Sequence, residues 1–462
     1  MQSVKVIKSA LAIILIAVVS IPTAQADKSG DWKKIDVAPG TYQTTDGNGV
    51  ARSIAPSCSG GPVCTIDAAT GIPNCRAGNK QYSFFFKPGK EKKKLVVYFD
   101  GGGACWDSNT CVTGQQTPLS VYAAEIRNSV STEGLFDQRN PKNPYRDWNI
   151  AVLPYCTGDI HWGSNDQQYS DFTGAVTGAR GGSVTLHHRG FDNFLFVRDW
   201  LIQRFAEKDD DDDDDDDKKK KKGGDRNDKI KQLLVTGSSA GGYGAALAYP
   251  HMKQAFPKAQ GYLMADAGNG VVSDALLQQA VRLPDARWGA AQNFVRNIPG
   301  MDGIFNLPAD RFASAYYSAM AGFYPNDRFS QYTTLFDVVQ ALFYNISLNQ
   351  NDIAAWPNIT QEVYSDWTNQ MVNHAFVTAA NPNYRFYIAP GCNHTILRFN
   401  DDFYNTRTTQ VPSFLSWFKA LTREGEDGAA PANWVNSFCS GCQIPPTPQE
   451  LGACLQRAPA GG

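Results

Sequence analysis

Short apolar runs recur along this chain, and most end in small or turn-forming residues. Leu95–Phe99, in "KKLVVYFDGGGACW", has the length of a buried strand rather than of a helix. Asn149–Leu153 in "DWNIAVLPYC" repeats the pattern, as do "KQLLVTG", "GYLMADAG" and "YRFYIAPG". Between these runs the period changes. Phe191, Phe194, Leu195, Val197, Leu201, Ile202 and Phe205 recur at helical spacing and predict an amphipathic helix. The small residues after "KQLLVTG" can open another. Strands alternating with helices predict an α/β fold with a mostly parallel central sheet flanked by helices.

The same pattern divides the chain. Residues 27–90 show little periodicity and are rich in Gly, Pro, Asp and Cys. They are expected to form a disulfide-tied N-terminal extension, with "YSFFFKP" as an edge strand. Residues 91–425 form the main α/β domain. Within it, residues 270–380 hold three aromatic-rich stretches of helical pattern, "ARWGAAQNFVRNI", "ADRFASAYYSAMAGFY" and "QEVYSDWTNQMVNHAFV". They read as a helical insertion between sheet strands. Residues 426–462 are a cysteine-containing C-terminal segment.

The first residues are of another kind. Lys5 and Lys8 precede "ALAIILIAVVSIPTAQA", which ends in the small-x-small pattern Ala24-Gln25-Ala26. Residues 1–26 therefore read as a signal peptide removed after Ala26, and no later stretch is long and apolar enough to span a bilayer. The expected product is a secreted or periplasmic protein with no stable membrane insertion once the leader is gone. Ten cysteines fit an oxidising compartment. Cys105 and Cys111 are the expected local bridge, because they close a short loop. Cys439 and Cys442 form a CxxC pair with no second pair and no histidine nearby, so a structural reading is favoured over a metal site.

Charge narrows the partners. A formal net charge of −2 gives no reason to expect nucleic acid or an anionic membrane surface. The unbroken runs Asp209–Asp217 and Lys218–Lys222 lie in a low-complexity loop, residues 207–228. A homopolymer supplies no defined turn to arrange oxygen ligands, so a solvated surface loop is expected rather than a calcium site. Much of the aromatic content, 25 Phe, 19 Tyr and 10 Trp, belongs in the core, and some can line an apolar or sugar-stacking cleft.

One stretch carries chemistry. Gly237-Ser238-Ser239-Ala240-Gly241 fits Gly-x-Ser-x-Gly in one register, centred on Ser239. Strand "LLVTG" before it and "AGGYGAALAY" after it supply the strand-to-helix context in which such a serine is a nucleophile. A serine hydroxyl needs a base, usually histidine. Chain order in this fold type places that base after the serine, leaving His251, His374 and His394. His251 follows the nucleophile helix too closely, and His374 lies in a helical pattern. His394, in the loop "IAPGCNHTIL" after the last good strand, is the expected base. Asp266, at the end of "YLMADAG", and Asp337, in "QYTTLFDVVQ", are both able to supply the acid. Gly101, Gly102 and Gly103 directly follow a strand and can aim N–H groups at a developing oxyanion, with the amide of Ala240 as the second source.

Taken in order, "FDGGGACW", "PYCTGDIHWG", Arg189-Gly190, "GSSAGG", "ADAG", "LFDVVQ" and "NHT" resemble the pectin acetylesterase and Notum family of serine carboxylesterases. The resemblance runs from about Leu95 to His394 and implies an α/β-hydrolase-like fold. It implies that the acid is Asp337, in Leu335-Phe336-Asp337 with Gln340. It implies oxyanion donors at Gly102, Gly103 and Ala240, with Asp159 and Trp162 near the pocket mouth; Trp106 and Asp266 are further pocket candidates. Trp106 stands one place later than the tryptophan of plant members. The expected activity is hydrolysis of O-acyl esters, O-acetyl groups first, through an acyl-enzyme. The expected partner is an acylated small molecule or polysaccharide, with no metal and no organic cofactor. A lipid or polyester esterase, an amidase on the same triad, and a non-catalytic binding protein of the same fold remain alternatives. Asn393-His394-Thr395 is also a glycosylation sequon. A glycan there would crowd the base, and an unmodified site fits a bacterial exported protein.

Overall fold

The computed structural model describes residues 32–206, 229–283, 285–407, 412–423, 431–438 and 446–457. The expected leader, the Asp/Lys tract and the pair Cys439 and Cys442 lie outside them.

The strands are β1 (Lys33–Asp36), β2 (Tyr42–Thr45), β3 (Ala51–Ile54), β4 (Pro62–Ile66), β5 (Pro73–Ala77), β6 (Ser83–Lys87), β7 (Glu91–Phe99), β8 (Trp148–Leu153), β9 (Asn165–Asp171), β10 (Gly182–His188), β11 (Gln232–Ser238), β12 (Gln260–Asp266), β13 (Arg328–Thr334), β14 (Tyr384–Ala389) and β15 (Ser437–Phe438). Nine of them form one sheet in the order β1-β6-β8-β7-β11-β12-β13-β14-β15. From β8 to β15 every pairing is parallel; β6 joins antiparallel to β8, and β1 to β6. The other six make three two-stranded hairpins.

A parallel sheet is covered on both faces, so its strands read as continuous apolar runs. The period-2 alternation then shows in which layer each side chain enters. Leu95, Val97 and Phe99 of β7 pack into one core, and Val96 and Tyr98 into the other. In β12, Leu263 and Ala265 face the first core while Tyr262 and Met264 face the second. The first core is covered by α1 (Gly190–Ala206), α2 (Ala240–Ala255), the single turn α3 (Asp274–Leu277), α4 (Ala309–Phe323), α5 (Val338–Leu348) and α6 (Gln361–Thr378). Residues of the segments 396–421 and 135–148 cover the second. The α/β-hydrolase-like expectation holds.

Three sequence expectations differ from the structure. "YSFFFKP" is not at the edge: β6 lies between β1 and β8, and Phe84, Phe85 and Phe86 are all buried. Residues 270–380 are not one insertion, because β13 crosses them as a central strand. Its sequence, RFSQYTT, is polar yet wholly buried. "ARWGAAQNFVRNI" forms only a short 3₁₀ turn, Ala291–Asn293. Gly289 has φ +60°, which interrupts a helix there. Buried Asn293 uses its side-chain amide on Trp162 O, Gly289 O and Ser164 Oγ.

Four disulfides lie among the described residues: Cys58–Cys156, Cys64–Cys75, Cys105–Cys111 and Cys392–Cys454. Cys105–Cys111 is the pair the short loop predicts. Cys58–Cys156 fastens the N-terminal extension to the loop after β8. No helix among the described residues is long and apolar enough to cross a membrane.

Candidate active site

The parallel strands β7, β11, β13 and β14 end on the same edge of the sheet, and the loops that leave this edge carry the expected residues. β11 ends at Ser238 and α2 begins at Ala240, so Ser239 is the whole turn between them. Its backbone sits at φ 58°, ψ −125°, a strained conformation for a residue with a side chain. The flanking glycines permit this by close approach. A Cβ on Gly241 would overlap the carbonyl oxygen of Phe99 at the end of β7, and one on Gly237 would overlap the carbonyl of Gly241. The N–H of Ser239 is anchored on Asp266 O at 2.7 Å.

Asp337 caps α5. Its Oδ1 accepts from Val339 N at 3.1 Å and from Gln340 N at 3.0 Å. The helix N-terminus favours a negative charge at this position. Gln340 Nε2 donates to Asp337 Oδ2 at 2.9 Å and also lies 3.1 Å from Thr333 Oγ1 and from Asn269 Oδ1. Both carboxylate oxygens lie 2.9 Å from His394 Nδ1. An ionised carboxylate only accepts, so Nδ1 carries the proton and Nε2 of the neutral ring is left with its lone pair. His394 Nε2 is buried and has no hydrogen-bond partner among the described residues.

Ser239 and His394 line one cleft, together with Gly103, Ala104, Trp106, Ala240, Tyr243, Trp288 and Gln340. It encloses about 570 Å³, mouth included, and most of its other walls are aliphatic or aromatic. Gly103 has φ +73° and forms an isolated bridge with Tyr122. Ala104 N and Gly102 O make the hydrogen bonds of that bridge, which leaves the N–H of Gly103 outside it. Ala240 N heads α2 as one of the orphan donors of a helix start. No acceptor for either N–H occurs among the described residues. Gly102 does not line the cleft; the space of its absent side chain is filled by Tyr155 and Ala123.

Other histidines are engaged elsewhere. His161 Nε2 meets Asp100 O at 2.9 Å, and burial pushes its imidazole down to about 4. His188 is held by Thr157 O and Tyr169, and burial lowers it to about 4. His251 lies between Gly47 N and Asn293 O, and burial lowers it to about 3. His374 meets Asn269 O and Asp310 O. Cys105, Cys111 and His188 cluster at metal-ligand spacing. The two sulfurs are joined as a disulfide and both nitrogens of His188 are engaged, so the trio is not a set of free ligands.

Three pocket expectations are corrected. Asp159 is fully buried and accepts from Thr157 Oγ1, His161 N, Gly163 N and Gly190 N, so it shapes its loop and does not line the cleft. That contact accounts for Gly190, where a Cβ would crowd the carboxylate. Trp162 donates Nε1 to Tyr243 O and lines a second, apolar chamber of about 520 Å³. Asp266 lies beneath the cleft, and burial pushes its carboxyl up to about 6. Its side-chain hydrogen-bond partners among the described residues are Ser238 Oγ, Ile396 N and Leu397 N rather than the His394 ring. Trp106 does line the cleft, and its buried Nε1 has no partner among the described residues. The sequence reading missed Tyr243 and Trp288. Tyr243 had a signal, standing four residues after Ser239 and so on the same face of α2.

The family model for Pectinacetylesterase matches residues 65–204, a stretch that holds Gly102, Gly103, Asp159 and Gly190 and ends before the elbow. The palmitoleoyl-protein carboxylesterase NOTUM of Schmidtea mediterranea is 30% identical over 70 residues, which are 15% of this chain and 13% of that relative. A crystal structure of the Wnt deacylase Notum from Drosophila matches with a TM-score of 0.51 at 16% identity, covering 83% of this chain and 97% of the other. At that identity the likeness speaks for the fold. Over the matched residues the chain is similar to the pectin acetylesterase and Notum proteins, and its fold as a whole is that of a Notum-like α/β hydrolase.

Proposed function

We propose that this protein is an exported serine carboxylesterase with Ser239 as nucleophile, His394 as general base and Asp337 as the acid that orients the base. One observation carries the reading: the bare Nε2 of His394, its ring held by Asp337 at Nδ1, shares a cleft with the serine of a strained elbow. Nε2 takes the Ser239 proton as Oγ attacks the ester carbonyl. The Gly103 and Ala240 N–H groups stabilise the oxyanion, with the Gly102 segment fixing the loop that presents them. His394 then protonates the departing alcohol, activates water, and the acyl-enzyme is hydrolysed.

The acyl group enters apolar walls. Acetyl is the first expectation, on a polysaccharide or a small alcohol. A longer acyl group is the second reading. The cleft and the second chamber share Ile160, Tyr243, Val272, Leu276 and Trp288 as a common wall, so movement of that wall would lengthen the pocket. A series of p-nitrophenyl esters from acetate to octanoate decides between them, since kcat/KM falls with length if only acetyl fits. Acetate release from acetylated pectin and xylan tests the polysaccharide. Ser239→Ala is expected to lower turnover by about 10³-fold or more. Wild-type turnover in that variant, or failure of a fluorophosphonate to label Ser239, rejects the mechanism.

A further inference from the structure

We infer that Asp266 is a positioning residue for the base: its carboxylate clamps the loop that carries His394 and sets a second negative charge beneath the imidazole. This rests on the esterase reading above and adds to it a group outside the triad.

Asp266 ends β12 and is wholly buried. Among the described residues its hydrogen-bond partners include no cation. Oδ2 accepts from Ser238 Oγ at 2.6 Å, and Ser238 Oγ accepts from Tyr98 OH at 2.9 Å. Both carboxylate oxygens lie 3.0 Å from Ile396 N, and Oδ2 lies 3.0 Å from Leu397 N. These are the second and third residues after His394. Between His394 and Ile396 stands Thr395, a β-branched residue at φ 57°. Such a conformation persists only where the surroundings enforce it. The two N–H bonds to Asp266 supply that enforcement immediately after the strained residue. The backbone oxygen of Asp266 meanwhile holds Ser239 N at 2.7 Å. One residue thus fixes both the nucleophile's turn and the base's loop.

The charge acts beside the geometry. His394 is among the groups that favour the ionised form of Asp266, and by reciprocity that carboxylate favours the imidazolium formed during reaction. The other groups facing Asp266 are Ser238 from β11, Tyr98 from β7 and Tyr332 from β13. Burial raises both tyrosines, so neither competes as a charge. Arg398, further along the His394 loop, is paired with Asp100 at 2.9 Å.

The test is the acid limb of kcat/KM for p-nitrophenyl acetate, which reports the free base. Asp266→Asn keeps the shape and removes the charge. It is expected to lower kcat at least tenfold with KM within threefold, and to move the acid limb to lower pH. Ser238→Ala removes one donor to the carboxylate, so Asp266 protonates at higher pH, its charge is lost earlier on acidification, and the limb moves down as well, by less than in Asp266→Asn. Downward shifts of graded size distinguish a charged clamp from a merely structural residue, whose loss lowers activity and leaves both limbs in place. Unmoved limbs in the folded variants, or wild-type kcat in Asp266→Asn, overturn the inference. If Asp266→Asn does not fold, the direction of the Ser238→Ala limb decides alone. Fluorophosphonate labelling of wild-type Ser239 separates the two readings. No labelling rejects the esterase itself; labelling with unmoved limbs rejects only the clamp.

Discussion

A methyl group on Gly241 should disable the site without touching any reacting atom. Its Cβ would sit 2.5 Å from the carbonyl carbon of Phe99, 2.8 Å from Asp100 O, and nearer still to Phe99 O. All three are backbone atoms, so no side chain can swing aside. Ordinary contact needs about 3.5 Å, so the start of α2 and the end of β7 must separate by about 1 Å. Those two ends carry Ala240 and the loop of Gly103, the proposed oxyanion donors. Overpacking of this kind costs about 1–3 kcal/mol. Misplacement by about 1 Å lowers turnover by about 10²-fold. The assay is urea unfolding beside kcat/KM on p-nitrophenyl acetate for Gly241→Ala. Gly322→Ala is the control. Gly322 lies in α4 with nothing within 4 Å of an added Cβ, and alanine there should stabilise by up to about 1 kcal/mol. Wild-type stability and turnover in Gly241→Ala would refute the claim that close backbone approach sets the site.

Removing Cys58–Cys156, which spans 98 residues, should cost up to about 4–5 kcal/mol, against about 3 for Cys64–Cys75, which spans 11. Thermal or urea unfolding of the paired Cys→Ala variants checks the order. Burial raises the Asp159 carboxyl to about 6, against about 3.9 in an unfolded chain. The folded state then binds more protons between those values, so stability falls as pH rises from about 4 to about 6, by about 3 kcal/mol at most. Asp159→Asn should flatten that slope in urea unfolding across the window, and an unchanged slope counts against the assignment. Gln340→Ala should lower kcat about tenfold with little change in KM, because it frees Asp337 Oδ2 while leaving the helix cap. A wild-type kcat would show that the cap alone orients the acid.

Much of the sheet was legible because a parallel strand buried on both faces writes itself as an apolar run. β7, β8, β11, β12 and β14 all do so. β13 does not. Its polar side chains find partners inside the protein: Ser330 Oγ donates to Leu263 O, Thr334 Oγ1 to Asn393 O, and Gln331 Oε1 accepts from Tyr384 OH. Pairing of that kind depends on neighbours distant in sequence, and hydropathy carries no trace of it. The candidate site divides in the same way. The elbow at Ser239 is local and visible in its glycines. The choice between Asp337 and Asp266 is not local. Both follow strands, and only the contacts separate them: one meets the ring of His394, the other its backbone two residues on. Asp159 was read as a pocket residue from its motif, yet what it contacts is its own loop and the start of α1.

The single direction of the strands from β8 to β15 has a practical consequence. Ser239 stands at the exit end of β11, while the chain enters that strand at Gln232 after leaving α1 at Ala206. The entry lies about 20 Å from the elbow, the length of the strand between them. Ala206 and Gln232 therefore both lie toward the end of the sheet remote from the cleft. A tether, an affinity handle or a support could be grafted at that end, and the protein could be immobilised with its cleft facing outward.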